Sequence, residues 1–256
     1  MHTRPWLWPN LLSLDAPIVA LLWQVLFVRC FHGSLGTLPA ALLAVAVWLI
    51  YVADRTLDAW RGVTEQPRHE FYGRYWRAVL PIWIVALAGG AWLAWSQLPG
   101  RLFFEGSVVA LCAGLYLAAV HLAPRLLRRA GSKESAVAVL FGLGASLAAW
   151  PGVQTTGDVL AILLFSCLCW MNCTAIDDWE QRHELRPSII AAAGLVAVIA
   201  VCQLKEHRPI LGAAETAGAL GLVLLDRLQR RYSPEALRVL ADVVLLTPIL
   251  FLPVVL

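Results

Sequence analysis

Long apolar runs alternate with short polar connections along almost the whole chain of 256 residues. A helix needs about 20 consecutive, mostly apolar residues to cross the hydrocarbon core of a bilayer. Nine runs meet this requirement, so the pattern predicts nine spans within a single transmembrane domain that covers residues 1–256. The spans are predicted at residues 11–30, 35–53, 76–97, 102–123, 134–152, 157–178, 187–204, 208–226 and 236–256.

The apolar runs predict helices rather than the strands of a membrane barrel. Segments such as LLAVAVWLI and GLVAVIAVC are apolar at every position, whereas barrel strands alternate apolar and polar residues over about ten positions. The predicted fold class is therefore all-α, a polytopic membrane protein whose nine transmembrane helices form a bundle.

The composition excludes a soluble globular protein. Hydrophobic residues make up 60% of the chain and charged residues only 14%, whereas about a quarter of the residues in a soluble domain are charged. The sequence contains no glycine-rich phosphate loop, nucleophilic serine elbow or dinucleotide-binding fingerprint. The net charge of +3 is small and the basic residues are scattered, so we expect no nucleic-acid partner.

The distribution of basic residues predicts the orientation of the chain. Of the 20 Lys and Arg residues, 16 lie near the amino terminus or in the connections that follow the even-numbered spans. Because basic connections stay on the cytoplasmic side of a membrane, this side is predicted to be cytoplasmic. The amino terminus is then cytoplasmic and the carboxyl terminus lies on the opposite side, as expected for a protein of a bacterial inner membrane.

Two acidic clusters close predicted spans that run toward this cytoplasmic side. Asp54 and Asp58 lie in DRTLD after the second span, and Asp177, Glu180 and Glu184 lie in DDWEQRHE at the end of the sixth. Ionised side chains near a membrane core are costly and usually face a cavity, a partner or an ion. The sequence therefore predicts a polar chamber within the bundle that is open to the cytoplasm.

The spacing of these acids is typical of a metal site. Asp54 and Asp58 are four residues apart and project from one face of a helix, where two like charges repel unless a cation lies between them. Magnesium is often held by one or two carboxylates together with substrate phosphates. Basic residues near the chamber can neutralise such a diphosphate, and they are Arg55, Arg61, Arg128, Lys133 and Arg182.

The remaining polar residues are assigned structural roles. Asp178 is expected to form a surface ion pair with Arg182, four residues later. His69, His121 and His183 have no ligand partner at a suitable sequence spacing, so they are assigned to the membrane interface. The small residues of GLGAS and AAETAGALG predict close helix packing.

The DRTLD segment, the second acidic cluster and the nine-helix layout together resemble the UbiA superfamily of membrane prenyltransferases. The resemblance covers nearly the whole chain in layout but is specific only at these motifs. Members bind an isoprenyl diphosphate through magnesium that two aspartate-rich motifs hold, and they transfer the isoprenyl group to an acceptor. By position, Asp54 and Asp58 match the first motif, and Asp177, Glu180 and Glu184 stand where the second should be.

The resemblance also implies a role for Lys133, which occupies the position of a basic residue that often follows the fourth helix. The chemistry of the reaction adds two further roles. An acceptor needs a polar contact, which Gln24, Asn172 or Asp15 could supply, and an allylic cation could be stabilised by an aromatic face such as that of Tyr51, Tyr116 or Trp170, of which Tyr51 is assigned to the site. The chain departs from the family at Ile50 and Tyr51, where the usual first motif has Asn-Asp, and at the Glu residues of the second cluster.

The sequence leaves several functions open. The resemblance implies an enzyme with magnesium as cofactor, and with an isoprenyl diphosphate, an aromatic or lipid-like acceptor and membrane lipid as partners. The same ionised isoprenoid could instead be attacked by its own double bond, as in a membrane terpene cyclase. An ion-coupled transporter and a catalytically silent relative are the further alternatives.

Overall fold

The computed structural model describes residues 5–62, 67–123, 133–180, 193, 194, 196 and 208–255. All regular structure within these residues is helical, and no strand occurs among them. The all-α prediction is therefore confirmed. The helices are α1 (Trp8–Leu11), α2 (Asp15–Cys30), α3 (Thr37–Trp60), α4 (Pro67–Gln97), α5 (Gly100–Leu122), α6 (Lys133–Ser146), α7 (Thr156–Glu180), α8 (Pro209–Leu228), α9 (Pro234–Val244) and α10 (Pro248–Val255).

Seven helical stretches in the described part of the chain are long and apolar enough to cross a membrane. They cover Thr37–Trp60, Arg68–Gln97, Gly100–Leu122, Lys133–Gly152, Thr156–Glu180, Pro209–Arg231 and Pro234–Val254. The chain is an integral membrane protein. The first predicted span corresponds to α2, which has only 16 residues, and nearly all of the predicted span at 187–204 lies outside the described residues, so nine spans remain a prediction.

The chain divides into two compact units, although the sequence predicted a single transmembrane domain. Unit 1 comprises Met1–Leu21 and Gly36–Gly131, and unit 2 comprises Leu22–Leu35 and Ser132–Leu256. The single-domain prediction is not tested by this division, because two compact units can belong to one bundle.

In unit 1, the packing of α3 against α4 and α5 organises the helices. Gly90 of α4 lies against Val45 of α3, and a Cβ atom at Gly90 would be 3.5 Å from that side chain. Trp83 of α4 donates a hydrogen bond of 2.9 Å from Nε1 to the carbonyl oxygen of Leu49. Large apolar side chains on the outer faces of α4 and α5, such as Trp92, are exposed, as expected of helices that face lipid.

In unit 2, an aromatic cluster packs between the end of α2 and α7. The rings of Trp23 and Phe165 stack with their centroids 4.2 Å apart, and Trp23 donates from Nε1 to the carbonyl oxygen of Leu245 at 2.9 Å. Helices α6 and α7 pack closely at Gly142, where a Cβ atom would lie 2.0 Å from Oγ of Ser166. A larger residue at this position would therefore require Ser166 to shift.

Candidate functional site

The first acidic pair lies inside helix α3 rather than after its end, because α3 continues through the DRTLD segment to Trp60. Asp54 and Asp58 are therefore one helical turn apart on the same face. Their side chains are 41% and 26% exposed. Both carboxylates are thus partly open to solvent at the end of an otherwise apolar helix.

Two histidines from neighbouring helices of unit 1 lie beside these carboxylates. His121 near the end of α5 places Nε2 at 3.0 Å from Oδ1 of Asp54 and Nδ1 at 3.9 Å from Oδ1 of Asp58. His69 near the start of α4 places Nε2 at 3.9 Å from Oδ2 of Asp58. We call these four residues the His–Asp cluster.

His69 and His121 have acidic partners that their sequence spacing did not indicate, whereas their assignment to the membrane interface stays a prediction. Their side chains are only 6% and 5% exposed, and both face the acidic pair. His121 is separated from Asp54 by 67 residues along the chain. No local spacing could reveal this contact, because the packing of α5 against α3 creates it.

Arg55, a predicted diphosphate ligand, is buried and engaged with the amino-terminal segment. Its Nη1 donates to the carbonyl oxygen of Asn10 and, at 2.8 Å, to Oγ of Ser13, and its Nη2 lies 3.6 Å from Asp15. Its Cζ also lies 5.7 Å from the ring centroid of Tyr51. Because this guanidinium is 4% exposed, its placement gives the predicted diphosphate contact no support, and the ring of Tyr51 already has a cation beside it.

The other predicted basic residues are only partly described. Arg61 is exposed directly after the last residue of α3, and Lys133 is exposed as the first residue of α6. Arg128 and Arg182 lie outside the described residues. The exposed positions of Arg61 and Lys133 are compatible with anion binding, which stays a prediction for all four.

The second acidic cluster, at the end of α7 in unit 2, has a different environment. Glu180 forms an ion pair with Arg238 of α9, and the two side chains are 25% and 7% exposed. Asp177 is half-buried, and Glu184 lies outside the described residues. A guanidinium therefore already neutralises one of the predicted metal ligands.

Two neighbouring polar side chains of α7 are buried. Asp178 is 1% exposed, so its assignment to a surface ion pair was wrong. The reason is that α8 and α9 both pack against α7. Asn172 is 6% exposed, and its Oδ1 accepts no hydrogen bond from any residue that the structure describes. Its proposed contact with an acceptor stays a prediction.

The residues of the His–Asp cluster fit magnesium only if a substrate completes its coordination. Among the described residues, no group of three or more His, Cys, Asp or Glu side chains is arranged to hold a metal ion by itself. Magnesium, however, is commonly bound by one or two carboxylates plus waters and substrate phosphates. Asp54 and Asp58 supply two partly exposed carboxylates on one helix face, which satisfies this requirement.

Glu215 is a fully buried acid of unit 2 that was not among the predicted site residues. Glu215 is 0% exposed within α8, and neither carboxyl oxygen has a hydrogen-bond partner among the described residues. A signal was present, because Glu215 is the one charged residue in the run AAETAGALG. An ionisable side chain inside a membrane span is a candidate functional residue by default.

A second buried ionic contact of unit 2 was also missed. Arg208 donates from Nε to Oδ1 of Asp158 at 2.7 Å and from Nη1 to the carbonyl oxygen of Cys30 at 2.7 Å. Asp158 is fully buried and also accepts from the backbone amides of Gln154 and Thr155 at 3.0 Å. This contact joins the ends of α2, α7 and α8.

The helices and their polar clusters define an all-helical integral membrane protein with a partly open carboxylate pair in unit 1. No family model, curated protein or solved structure matches the chain. The resemblance to the UbiA superfamily therefore remains a prediction from the two acidic motifs and the layout of the helices.

Proposed function

We propose that this protein is a magnesium-dependent prenyltransferase of the UbiA type, which moves an isoprenyl group from an isoprenyl diphosphate to an aromatic or lipid-like acceptor. The observation that carries the proposal is the pair formed by Asp54 and Asp58. Two carboxylates share one helix face at the end of an apolar span and remain 41% and 26% exposed. Such a pair favours a divalent cation.

In the proposed reaction, Asp54 and Asp58 would hold the cation on one face of α3. Bound magnesium would neutralise the negative charge that develops on the diphosphate as the allylic carbon–oxygen bond breaks. Arg61, exposed at the end of the same helix, adds a cationic contact for the departing diphosphate. These residues of unit 1 bind and orient the leaving group.

The apolar surroundings suit an isoprenoid substrate. Helices α4 and α5 expose apolar side chains such as Trp92 and Leu111 along their lengths, so a hydrocarbon tail can reach unit 1 from the bilayer. Exclusion of water protects an allylic cation from hydrolysis. We propose a bacterial inner membrane as the location, with the amino terminus and the acidic pair on the cytoplasmic side, where the basic residues of the sequence concentrate.

The test is release of diphosphate by the purified protein in detergent, with magnesium and either farnesyl or geranylgeranyl diphosphate. Asp54→Asn and Asp58→Asn should each lower the rate by about 100-fold or more, as the loss of a major electrostatic contact does. Glu105→Gln is the matched control, because Glu105 is an acid near the opposite end of α5 that pairs with Arg101 at 2.8 Å. Equal rates of diphosphate release in the wild type and all variants would refute the assignment of Asp54 and Asp58 to the cation site.

The products of the same assay separate transfer from cyclisation. A hydrocarbon product formed without any acceptor would indicate a terpene cyclase. Turnover that begins only after an aromatic or lipid-like acceptor is added would indicate transfer, which is the expected result.

An ion-coupled transporter is the second candidate, and Glu215 is the observation that favours it. Transporter sites commonly lie inside the membrane rather than at helix ends, and Glu215 is a fully buried acid within α8. In vesicles that contain the purified protein, Glu215→Gln should abolish proton-coupled or sodium-coupled uptake if the protein is a transporter. The same variant should retain diphosphate release if the protein is a prenyltransferase.

A further inference from the structure

His121 has an unusual position relative to the two acids of the His–Asp cluster. Its side chain is 5% exposed, and its two ring nitrogens face different carboxylates. Nε2 lies 3.0 Å from Oδ1 of Asp54, whereas Nδ1 lies 3.9 Å from Oδ1 of Asp58 and has no hydrogen-bond partner among the described residues. The buried imidazole therefore spans the pair from the side of α5.

The chemistry of the closer contact determines what His121 can do. An ionised carboxylate only accepts hydrogen bonds, so Nε2–H of His121 donates to Asp54. A carboxylate on a flexible side chain loses rotamer freedom when it binds a ligand, and a fixed hydrogen bond removes that freedom in advance.

We propose that His121 is a positioning residue, which holds the carboxylate of Asp54 in the orientation that lets it bind a divalent cation together with Asp58. This inference rests on the proposed function, because it concerns the same pair of acids. It adds that cation affinity depends on a residue of α5 with no place in either acidic motif. Partners that orient metal ligands commonly contribute 10-fold to 100-fold to metal affinity.

The experiment measures binding of Mn²⁺, a paramagnetic substitute for magnesium, to the purified full chain by electron paramagnetic resonance, with an uncleavable isoprenyl diphosphate analogue present to complete the coordination of the cation. His121→Leu, which removes the donor, should raise the dissociation constant by about 10-fold to 100-fold. His121→Gln keeps an N–H group of similar reach and should bind within about threefold of the wild type, since the donated hydrogen bond is retained.

Trp83→Phe is the matched control for loss of a hydrogen bond to α3. Trp83 donates to the carbonyl oxygen of Leu49, so this variant also removes one hydrogen bond between α3 and a neighbouring helix, away from the acids. We expect its thermal stability to fall as in His121→Leu and its Mn²⁺ affinity to stay unchanged. A merely structural role of His121 predicts that the two variants behave alike in both measurements.

The possible outcomes separate the inference from the function on which it rests. Unchanged Mn²⁺ affinity in His121→Leu, with lost affinity in Asp54→Asn, would overturn the role of His121 and leave the acidic pair as the cation site. Failure of the wild type to bind Mn²⁺, or equal binding by wild type and Asp54→Asn, would overturn both. If His121→Leu does not fold, the same decision rests on whether His121→Gln retains the affinity and His121→Asn, with its shorter reach, loses it.

Discussion

The acidic side chains near the ends of α3 and α7 have different neighbours. Asp54 and Asp58 lie beside imidazoles and remain partly exposed, whereas Glu180 pairs with the guanidinium of Arg238 and Asp178 is 1% exposed. A guanidinium is permanently charged and matches a carboxylate geometrically, so it stabilises the fold. The first pair is therefore the better candidate for binding an external cation.

The largest expected effect concerns the ion pair between Asp158 and Arg208, in which the carboxylate is fully buried. Asp158→Ala should lower the free energy of unfolding by about 3–5 kcal/mol, because it removes a fully buried carboxylate that accepts from Arg208 and from the backbone amides of Gln154 and Thr155. Unfolding in mixed micelles with increasing SDS measures the change. The control Glu105→Ala breaks the exposed pair with Arg101 and should cost less than about 1 kcal/mol. Similar losses of stability in both variants would contradict the distinction between the buried and the exposed ion pair.

The ion pair of the second acidic cluster should show the next largest effect. Arg238→Met should destabilise the protein by about 3 kcal/mol, because the side chain of Arg238 is 7% exposed and Glu180 then loses its guanidinium partner. The double variant Arg238→Met/Glu180→Leu should recover part of this loss, which a double-mutant cycle in the same unfolding assay measures. A loss below about 1 kcal/mol would place this pair with surface ion pairs.

Glu215 represents a third class, a buried acid with no hydrogen-bond partner among the described residues. Glu215→Met should raise the stability by about 1 kcal/mol, because it removes a polar group whose burial is uncompensated. The midpoint of thermal unfolding in detergent reports the change. A decrease would instead show that the carboxyl group has a polar partner in the part of the chain outside the described residues.

The smallest expected effect on stability concerns the first acidic pair. Asp58→Asn should change the free energy of unfolding by less than about 1 kcal/mol, as expected for a partly exposed side chain, while binding of Mn²⁺ is lost. The same preparation can be used for the unfolding and the spin-resonance measurements. A large loss of stability without a loss of Mn²⁺ binding would show that Asp58 stabilises the fold and does not bind the cation.

Seven of the nine predicted spans correspond to described helices that are long and apolar enough to cross a membrane, because the thickness of a bilayer sets the length of such helices. The sequence did not predict the polar ends of these helices. Helix α3 continues seven residues beyond the predicted end at position 53, and α4 begins nine residues before the predicted start at position 76. Polar residues such as Arg74 can be helical outside the hydrocarbon, where an apolar pattern carries no information.

The candidate site was predictable only in part, because several of its contacts form between segments that are distant in the sequence. The four-residue spacing of Asp54 and Asp58 is visible in the sequence, because it depends on one helix. The approach of His121 and the burial of Arg55 depend on packing between distant segments, which no local spacing encodes. Glu215 could have been found, since an isolated acid within an apolar run is a recognisable signal.

The contacts of Arg55 have a consequence for how the protein is made. Its guanidinium completes the turn around Asn10 and Ser13, and Trp48 adds a hydrogen bond to the carbonyl oxygen of Leu12. During translation the amino terminus leaves the ribosome first, so this turn must wait for more than 40 later residues before its partner arrives. A nascent chain stalled before codon 55 should therefore expose its first segment to a protease, whereas a longer one should protect it.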